Sequence, residues 1–194
     1  LFPSTPAIFG KHAEALHEDS AARPESLYGA SKLASEGFIS AFSGLFNIQA
    51  WICRLSNIVG ERQTHGIIYD LMAQLDANPA ELQVLGDGTQ SKPYMYVHEI
   101  VAALLFVIDH SNDRLNIFNI GPRDSARVAD IARLVLEAYG GSQKIAYTGG
   151  PRGWEGDGAV YRYSPGKLEA LGWGPPPKSI DAVRTAIQRI AATQ

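Results

Sequence analysis

Apolar and polar positions alternate along the chain in blocks that predict strands followed by helices. Residues 1–9 have the pattern of the end of a buried strand, and residues 48–60, IQAWICRLSNIVG, form an apolar run that ends in glycine. Such a run is typical of a strand that is covered on both faces of a parallel sheet. The polar segment from Lys11 to Pro24 lacks periodicity and is predicted to be a loop. Shorter strands are predicted in LQVLGDG, KPYMYV, LNIFNIG and KIAYTG.

Helices are predicted between these strands. Ser26 can cap a helix that runs to about Leu45, and its apolar stripe consists of Leu27, Ala30, Ala34, Phe38, Ala41 and Leu45. We expect this stripe to pack against the rest of the chain. Further helices are predicted in GIIYDLMAQLDAN, HEIVAALLFVIDH, VADIARLVLEAYG with Ser125 as its cap, SPGKLEALGW and SIDAVRTAIQRIAA. Strands that alternate with helices of this length predict an α/β fold built on a parallel sheet.

Composition and charge narrow the classes of protein. The chain has 194 residues, a formal net charge of −3 and one cysteine, Cys53. No run of lysine and arginine is present, so no nucleic-acid partner is expected, and the five histidines show no metal-ligand spacing, so no metal is expected. No apolar run approaches the roughly 20 residues of a membrane span. A single cysteine forms no disulfide within the chain, which favours a reducing, cytoplasmic compartment.

The stretch SLYGASKLASEG places Tyr28 and Lys32 four residues apart in the first predicted helix, so both side chains project from one face. A phenol is a weak base at neutral pH, and a nearby ammonium favours the phenolate, so the pair suits proton transfer beside a hydride acceptor. The alternative is two polar side chains on a solvated helix face. A second match, YSPGK at 163–167, contains a Pro-Gly pair that cannot continue a helix, and it is rejected.

Six segments in order resemble the extended short-chain dehydrogenase/reductase family, the NAD-dependent epimerases and dehydratases of nucleotide sugars typified by UDP-glucose 4-epimerase. They are STPAIFG, YGASK, RLSNIVGERQ, VLGDGTQSKPYMYVHEIVAAL, FNIG with the Gly-Asp pair at 156–157, and KLEALGW. The resemblance implies that residues 1–64 are the C-terminal part of a Rossmann-type domain, with 98–121 packing back onto it. It also implies a small α/β substrate domain in 65–97 and 122–194.

The resemblance further implies roles for individual residues. In such enzymes NAD takes a hydride from C4 of the hexose, and the 4-keto sugar is then reduced on its other face. By resemblance, Tyr28 is the acid/base, Lys32 holds the nicotinamide ribose and assists Tyr28, and the hydroxyl of Thr5 hydrogen-bonds O4 of the sugar. The other implied contacts to a UDP- or dTDP-hexose are those of Asn57, Leu85, Lys92, Arg152 and Asp157.

Several positions depart from the family pattern or have a structural alternative. Lys92 stands where most members have arginine, and a lysine is a point charge without the bidentate fork of a guanidinium. Thr5 is followed by Pro6 and Ala7 in place of the Asp-Glu pair of the sugar 4,6-dehydratases, so epimerase or ketoreductase chemistry is favoured over dehydration. The alternatives are purely structural: Thr5 would bond its own backbone, Asn57 would be a turn residue and Arg152 would cap a surface loop.

The family binds NAD through a Gly-x-x-Gly-x-x-Gly turn that opens its first βαβ unit, and no turn in this position precedes the Tyr-Lys helix. The glycine clusters at 86–88, 140–141 and 149–150 all follow that helix. We therefore expect on the order of 100 residues ahead of Leu1, with weak NAD binding and little turnover by the chain alone. An apolar sheet edge at 1–9 and 48–56 is expected to cause self-association, as in a homodimer. The alternative function is a non-catalytic module that binds sugar nucleotides.

Overall fold

The central sheet of the protein has three parallel strands. A computed structural model describes residues 1–11, 14–78, 80–141, 143–150, 162–174 and 176–192. In it, Ala50–Leu55 (β2) lies between Phe2–Ser4 (β1) and Leu115–Ile120 (β7). The register places Ser4 of β1 beside Arg54 of β2, and Ile52 of β2 beside Ile117 of β7. The predicted α/β class with a parallel sheet is confirmed.

Both edges of strand β2 are hydrogen-bonded to neighbouring strands, one edge to β1 and the other to β7. The prediction that residues 48–56 form an exposed sheet edge is therefore wrong. Strand β7, which pairs with the second edge of β2, is formed by the LNIFNIG segment. This segment returns to the sheet about 60 residues after β2. In contrast, β1 pairs only with β2 within the described part of the chain.

The remaining elements largely follow the predicted order. The helices are Leu27–Phe46 (α1), Ile67–Ala77 (α2), Val97–His110 (α3), Val128–Ala138 (α4), Gly166–Ala170 (α5) and Ser179–Ala191 (α6). The strands outside the central sheet are Asn57–Val59 (β3), Glu81–Val84 (β4), Ser91–Lys92 (β5), Tyr94–Tyr96 (β6), Ala126–Arg127 (β8) and Lys144–Tyr147 (β9). β3 pairs with β6 and β4 with β9 in parallel, whereas β5 and β8 are antiparallel. A short 3-10 helix, Pro6–Ile8, follows β1.

The predicted cap of α4 is wrong. The residue that precedes the helix is Arg127, and no side chain caps the first turn. Ser125 lies two residues too early, because β8 intervenes and pairs with β5 before the helix begins.

Helices α1 and α3 lie on opposite faces of the central sheet. Successive side chains of a strand point to opposite faces: Arg54 of β2 meets Glu36 of α1, whereas its neighbour Cys53 packs in a cluster with Ile100 and Val107 of α3. A separate and larger apolar cluster joins α2, α4 and α6 to β4 and β6. No helix in the described ranges is long and apolar enough to cross a membrane.

The apolar stripe of α1 does not pack against the described chain. Leu27, Phe38 and Leu45 are 92%, 68% and 79% exposed, so the prediction that this stripe is buried is wrong. The buried positions of α1 are Gly29 and Glu36, together with Ser43. The fully buried positions of α1 are thus a glycine, a hydroxyl and an ion-paired carboxylate, and the partly buried Leu33 packs against Ile8, Phe9 and Leu16.

Gly29 and Gly37 offer a matched pair of substitutions in α1. A Cβ atom on Gly29 would lie 2.3 Å from the carbonyl oxygen of Ala7, whereas a Cβ on Gly37 meets nothing within 4 Å. We expect Gly29→Ala to lower the free energy of unfolding by about 1–3 kcal/mol, because the helix must move away from the backbone of Ala7. Gly37→Ala should raise it by about 0.5–1 kcal/mol, because alanine is the better helix former.

Urea denaturation followed by circular dichroism measures both changes. If Gly29→Ala is as stable as Gly37→Ala, the close approach of α1 to Ala7 is contradicted.

Candidate active site

The carboxyl end of β1 is the place where the side chain of Lys32 reaches the sheet. Its Nζ atom donates a hydrogen bond to the carbonyl oxygen of Pro3 at 2.9 Å. The same ammonium lies 4.7 Å from the centroid of the Phe2 ring. Lys32 is thereby held over the last residues of β1.

The start of α1 touches the chain on the other side of Thr5. Ser26 caps the helix as predicted, because its hydroxyl oxygen accepts the N–H of Gly29 at 3.0 Å. Gly29 in turn lies against the backbone of Ala7, closer than any side chain would allow. Thr5 therefore lies between the two points, Pro3 and Ala7, at which α1 contacts this segment.

Tyr28 is one helical turn before Lys32. The centroid of its ring is 6.0 Å from Nζ of Lys32, and the residue is 56% exposed. The structure thus brings the phenol and the ammonium to one side of α1, with the phenol open to solvent.

The hydroxyl oxygen of Thr5 accepts the N–H of Ala7 at 3.2 Å and so caps the 3-10 helix that follows β1. This is the backbone contact foreseen as the structural alternative for Thr5. A hydroxyl also carries one hydrogen to donate, and the contact with Ala7 leaves that hydrogen for another acceptor. Thr5 itself is buried.

The second Tyr-x-x-x-Lys match has no shared helix face. Tyr163 is buried and forms an isolated bridge with Leu16, whereas Lys167 lies in α5, which begins at Gly166. Nζ of Lys167 donates to the carbonyl of Ile117 at 2.8 Å. The rejection of this pair is confirmed.

The residues with an implied substrate contact lie on other elements. Nδ2 of Asn57, at the start of β3, donates to the carbonyl of Pro93 at 3.0 Å. Leu85 is exposed at the beginning of the turn after β4, and Lys92 is half-buried in β5. No hydrogen bond given by the structure joins Asn57 or Leu85 to the Tyr28–Lys32 pair. Arg152 and Asp157 lie outside the described residues.

The sequence pattern did not indicate the buried ion pair behind the site. Glu36 lies one turn beyond Lys32 and pairs with Arg54 of β2 at 2.8 Å, with both side chains 7% exposed. Two signals were available: a charged residue inside the apolar run of β2, and a carboxylate four residues after Lys32. Neither signal identified the partner, because Glu36 and Arg54 meet only when α1 folds onto the sheet.

A second polar pair fixes the segment that follows β3. The hydroxyl of Tyr96 donates to Oε1 and Oε2 of Glu61 at 2.6 and 2.7 Å. This hydrogen bond lowers the pKa of Glu61 below its ordinary value and raises the pKa of Tyr96 above its own.

The pKa shifts give the pH range in which this bond stabilises the fold. Because the pKa of Glu61 is lowered, its contribution is present above the ordinary value of 4.5 and is lost as the pH falls through the lowered pKa. Because the pKa of Tyr96 is raised, its contribution is present below 10.0 and is lost as the pH rises through the raised pKa. We therefore expect Tyr96→Phe to destabilise the protein near neutral pH and to match the wild type at acid pH.

Urea denaturation at a series of pH values measures the difference in unfolding free energy between the two proteins. Tyr69→Phe, on an exposed tyrosine of α2, is the control and should show no such dependence. A difference for Tyr96→Phe that is the same at pH 3 and pH 7 contradicts the assignment.

A hydroxyl at the end of a parallel strand, with a tyrosine–lysine helix packed beside it, is the arrangement expected from the resemblance to the NAD-dependent α/β enzymes. The model of the NAD dependent epimerase/dehydratase family matches residues 1–121. The chain belongs to this family.

The chain is also similar to individual epimerases in sequence and in structure. The chain is 30% identical over 164 residues to a putative UDP-glucose 4-epimerase of Methanocaldococcus jannaschii, a match that covers 81% of this chain and 51% of that protein. A crystal structure of UDP-galactose 4-epimerase superposes with a TM-score of 0.88 at 31% identity, covering 99% of this chain and 63% of that one. The UDP-glucose 4-epimerase of Thermus thermophilus, solved in complex with NAD, gives a TM-score of 0.82 at 26% identity, covering 100% and 64%. The chain thus spans about half the length of the curated relative and less than two thirds of these solved structures.

Proposed function

We propose that this chain carries the acid/base and sugar-binding part of an NAD-dependent nucleotide-sugar epimerase, which oxidises C4 of a hexose and reduces the 4-keto sugar on its other face. The observation that carries the proposal is the position of Lys32, whose ammonium reaches the end of β1 beside Thr5 while the phenol of Tyr28 stays open to solvent. The names of the relatives from Methanocaldococcus jannaschii and Thermus thermophilus support the same reaction.

The carboxyl edge of the central sheet fits a nicotinamide ring and its ribose. Oγ of Ser56, just after β2, and Oδ1 of Asn119, in β7, are buried without a hydrogen-bond partner. Unpaired buried polar atoms are costly, and ligands of open parallel sheets bind at the carboxyl ends of the strands. The ammonium of Lys32 has three N–H donors, of which the carbonyl of Pro3 takes one.

In this proposal Lys32 holds the nicotinamide ribose. Tyr28 takes the proton of the sugar hydroxyl when C4 is oxidised and returns it when C4 is reduced. Thr5 donates its free hydrogen to O4 of the sugar and so orients C4. Bound NAD supplies the acceptor and donor of the hydride.

We assign no segment of this chain to binding of the cofactor's pyrophosphate. The spacing Gly-x-x-Gly-x-x-Gly does occur once in the chain, at residues 150, 153 and 156, but it follows β9 and all but its first glycine lie outside the described residues. It does not open a βαβ unit ahead of the Tyr-Lys helix, so we assign it no phosphate. The cofactor preference for NAD and weak binding by the isolated chain are parts of the proposal.

The sugar nucleotide, a UDP- or dTDP-hexose, would lie across the part of the chain that includes Asn57, Leu85 and Lys92, with Arg152 and Asp157 as further ligands. We propose that 65–97 and 122–194 form this substrate domain, while 1–64 and 98–121 belong to the Rossmann-type part. The apolar cluster around α2, α4 and α6 supports this division. Met95 and Leu168 depart from it, because they pack in the cluster under α3.

Epimerisation is favoured over 4,6-dehydration by the residues after Thr5. Pro6 and Ala7 carry no carboxylate, and both belong to the 3-10 helix at the end of β1. Elimination of water across C5 and C6 needs an acid and a base at this point, and the segment has neither. A ketoreductase of the same family remains compatible with Thr5, Tyr28 and Lys32.

We also propose a cytoplasmic homodimer. The only thiol, that of Cys53, is buried, and burial raises its pKa to about 12, as suits a structural thiol in a reducing compartment. The outward face of α1 is apolar and exposed, and the rings of Phe42 and Phe46 stack on it with centroids 5.3 Å apart. A contiguous apolar face of this kind is suited to a second copy of the protein.

The role of Tyr28 is tested by conversion of UDP-glucose to UDP-galactose by the complete gene product. We expect Tyr28→Phe to lower kcat by about 10²–10⁴-fold, because the proton acceptor is lost, while the fold is kept. Tyr69→Phe is the matched control and should keep wild-type kcat. Chromatography of the sugar nucleotides measures the rates, and wild-type turnover by Tyr28→Phe would refute the proposal.

The role of Lys32 is tested against a lysine in nearly the same surroundings. Lys32 and Lys167 each donate to a strand carbonyl, at 2.9 and 2.8 Å, and each lies 4.7 Å from a phenylalanine centroid. We expect Lys32→Met in the complete protein to weaken NAD binding by about 10–100-fold, since a charge-assisted hydrogen bond is lost. Lys167→Met should bind NAD as the wild type does.

Calorimetric titration with NAD measures both dissociation constants. Equal weakening in the two variants would mean that Lys32 acts only through packing. Titration of the 194-residue chain itself tests the proposed weak binding, because micromolar NAD binding contradicts the expectation that this chain alone holds the cofactor poorly.

A further inference from the structure

The ion pair of Glu36 and Arg54 is the most enclosed charged group described in the structure. Nη2 of Arg54 donates to Oε2 of Glu36 at 2.8 Å, and Nε donates to Oε1 at 3.1 Å, so the contact is bidentate. The hydroxyl of Ser4, the last residue of β1, also donates to Oε1 of Glu36. Each side chain of the pair is 7% exposed.

The guanidinium of Arg54 also reaches the loop that follows the 3-10 helix. Its Nη1 atom donates to the carbonyl of Glu18 at 2.7 Å, and its central carbon lies 4.9 Å from the centroid of Phe9. The carboxylate of Glu18 accepts the backbone N–H of Asn119 in β7 at 2.8 Å. One arginine therefore connects β2, α1 and this loop, and through Glu18 the loop is attached to the third strand of the sheet.

The ion pair is continuous with the candidate active site. Tyr28, Lys32 and Glu36 are spaced four residues apart, so they follow one another along the same side of α1. Ser4 directly precedes Thr5 and lies beside Arg54 in the register of the sheet. The bonds to Glu36 thus join the two elements that carry the proposed catalytic groups.

We propose that Glu36 and Arg54 are positioning residues, which set the rotation of α1 on the sheet and so hold Lys32 and Tyr28 beside Thr5. This inference rests on the function proposed above. Apolar packing contributes one contact, that of Leu33 with Ile8 and Phe9, whereas the other fully buried positions of α1 are a glycine and a serine. A bidentate arginine–carboxylate contact has a fixed planar geometry, and such a geometry defines the angle at which the helix lies.

Substitutions of Glu36 and Arg54 can distinguish a positioning role of the pair from a contribution to stability. Replacing a buried ion pair by apolar residues of similar size often leaves stability unchanged, whereas removing one partner leaves a buried charge unpaired. The double variant Glu36→Leu/Arg54→Met therefore keeps a folded protein without the directional contact. Glu36→Asp is the second variant: it keeps the charge and draws the carboxylate back by one methylene, about 1.5 Å.

In the complete gene product we expect both variants to lower kcat for interconversion of UDP-glucose and UDP-galactose by about 100-fold, the effect of a misplacement of about 1 Å at a reacting centre. The KM for the sugar nucleotide should change less than about 3-fold, because the proposed nucleotide contacts are on other elements. Urea denaturation shows whether each variant is folded. Arg133→Met, which removes the exposed ion pair with Asp130 on α4, is the control and should leave kcat unchanged.

A crystal structure of the double variant gives a readout that does not need turnover. We expect Nζ of Lys32 to move out of hydrogen-bond distance of the Pro3 carbonyl, from the 2.9 Å of the wild type. A retained distance, or wild-type kcat in the folded double variant, overturns the positioning role. If the wild type itself turns over no nucleotide sugar, the proposed function fails, and the distance in the crystal still decides whether the ion pair positions the helix.

Discussion

The attachment of α1 to the end of β1 is the contact on which the proposed chemistry depends. It consists of a backbone-to-backbone approach at Gly29 and Ala7, a hydrogen bond from Lys32 to Pro3 and the buried pair of Glu36 with Arg54. Leu33 of α1 adds an apolar contact with the cluster of Ile8, Phe9 and Leu16. The close approach at Gly29 and the directional polar bonds both require that α1 keep a single orientation on the sheet.

This mode of attachment has an energetic consequence for the helix. The large apolar side chains of α1, such as Phe38 and Leu45, remain in contact with solvent in the described chain, so they contribute little to holding it in place. At roughly 25 cal/mol per Å² of apolar surface, their burial by a further protein surface would add substantially to the stability of the helix. The proposed assembly therefore uses the side of α1 that faces away from the sheet.

The sequence alone was sufficient to predict the features that depend on the local pattern of residues. Ser26 as a cap and the length of α1 follow from hydrogen-bonding capacity and helical periodicity, and the Tyr28–Lys32 spacing placed the pair on one face. The sequence was insufficient where a partner distant along the chain decides the outcome. The flank of β2 is covered by β7, and Glu36 finds Arg54 only in the folded sheet, so neither contact leaves a periodic signature. The stripe of α1 was misassigned because apolar spacing shows which face is hydrophobic but not which surface covers it.

The order in which the strands enter the sheet has one more consequence. Residues 56–114 leave β2 and return to the same sheet in β7, after building β3 to β6 with α2 and α3 on the way. The sheet therefore cannot close before this excursion has been made, and closing such a long loop is entropically slow. We therefore expect the carboxyl edge of the sheet to be complete only after the chain has passed through residues 65–97, which belong to the proposed substrate domain.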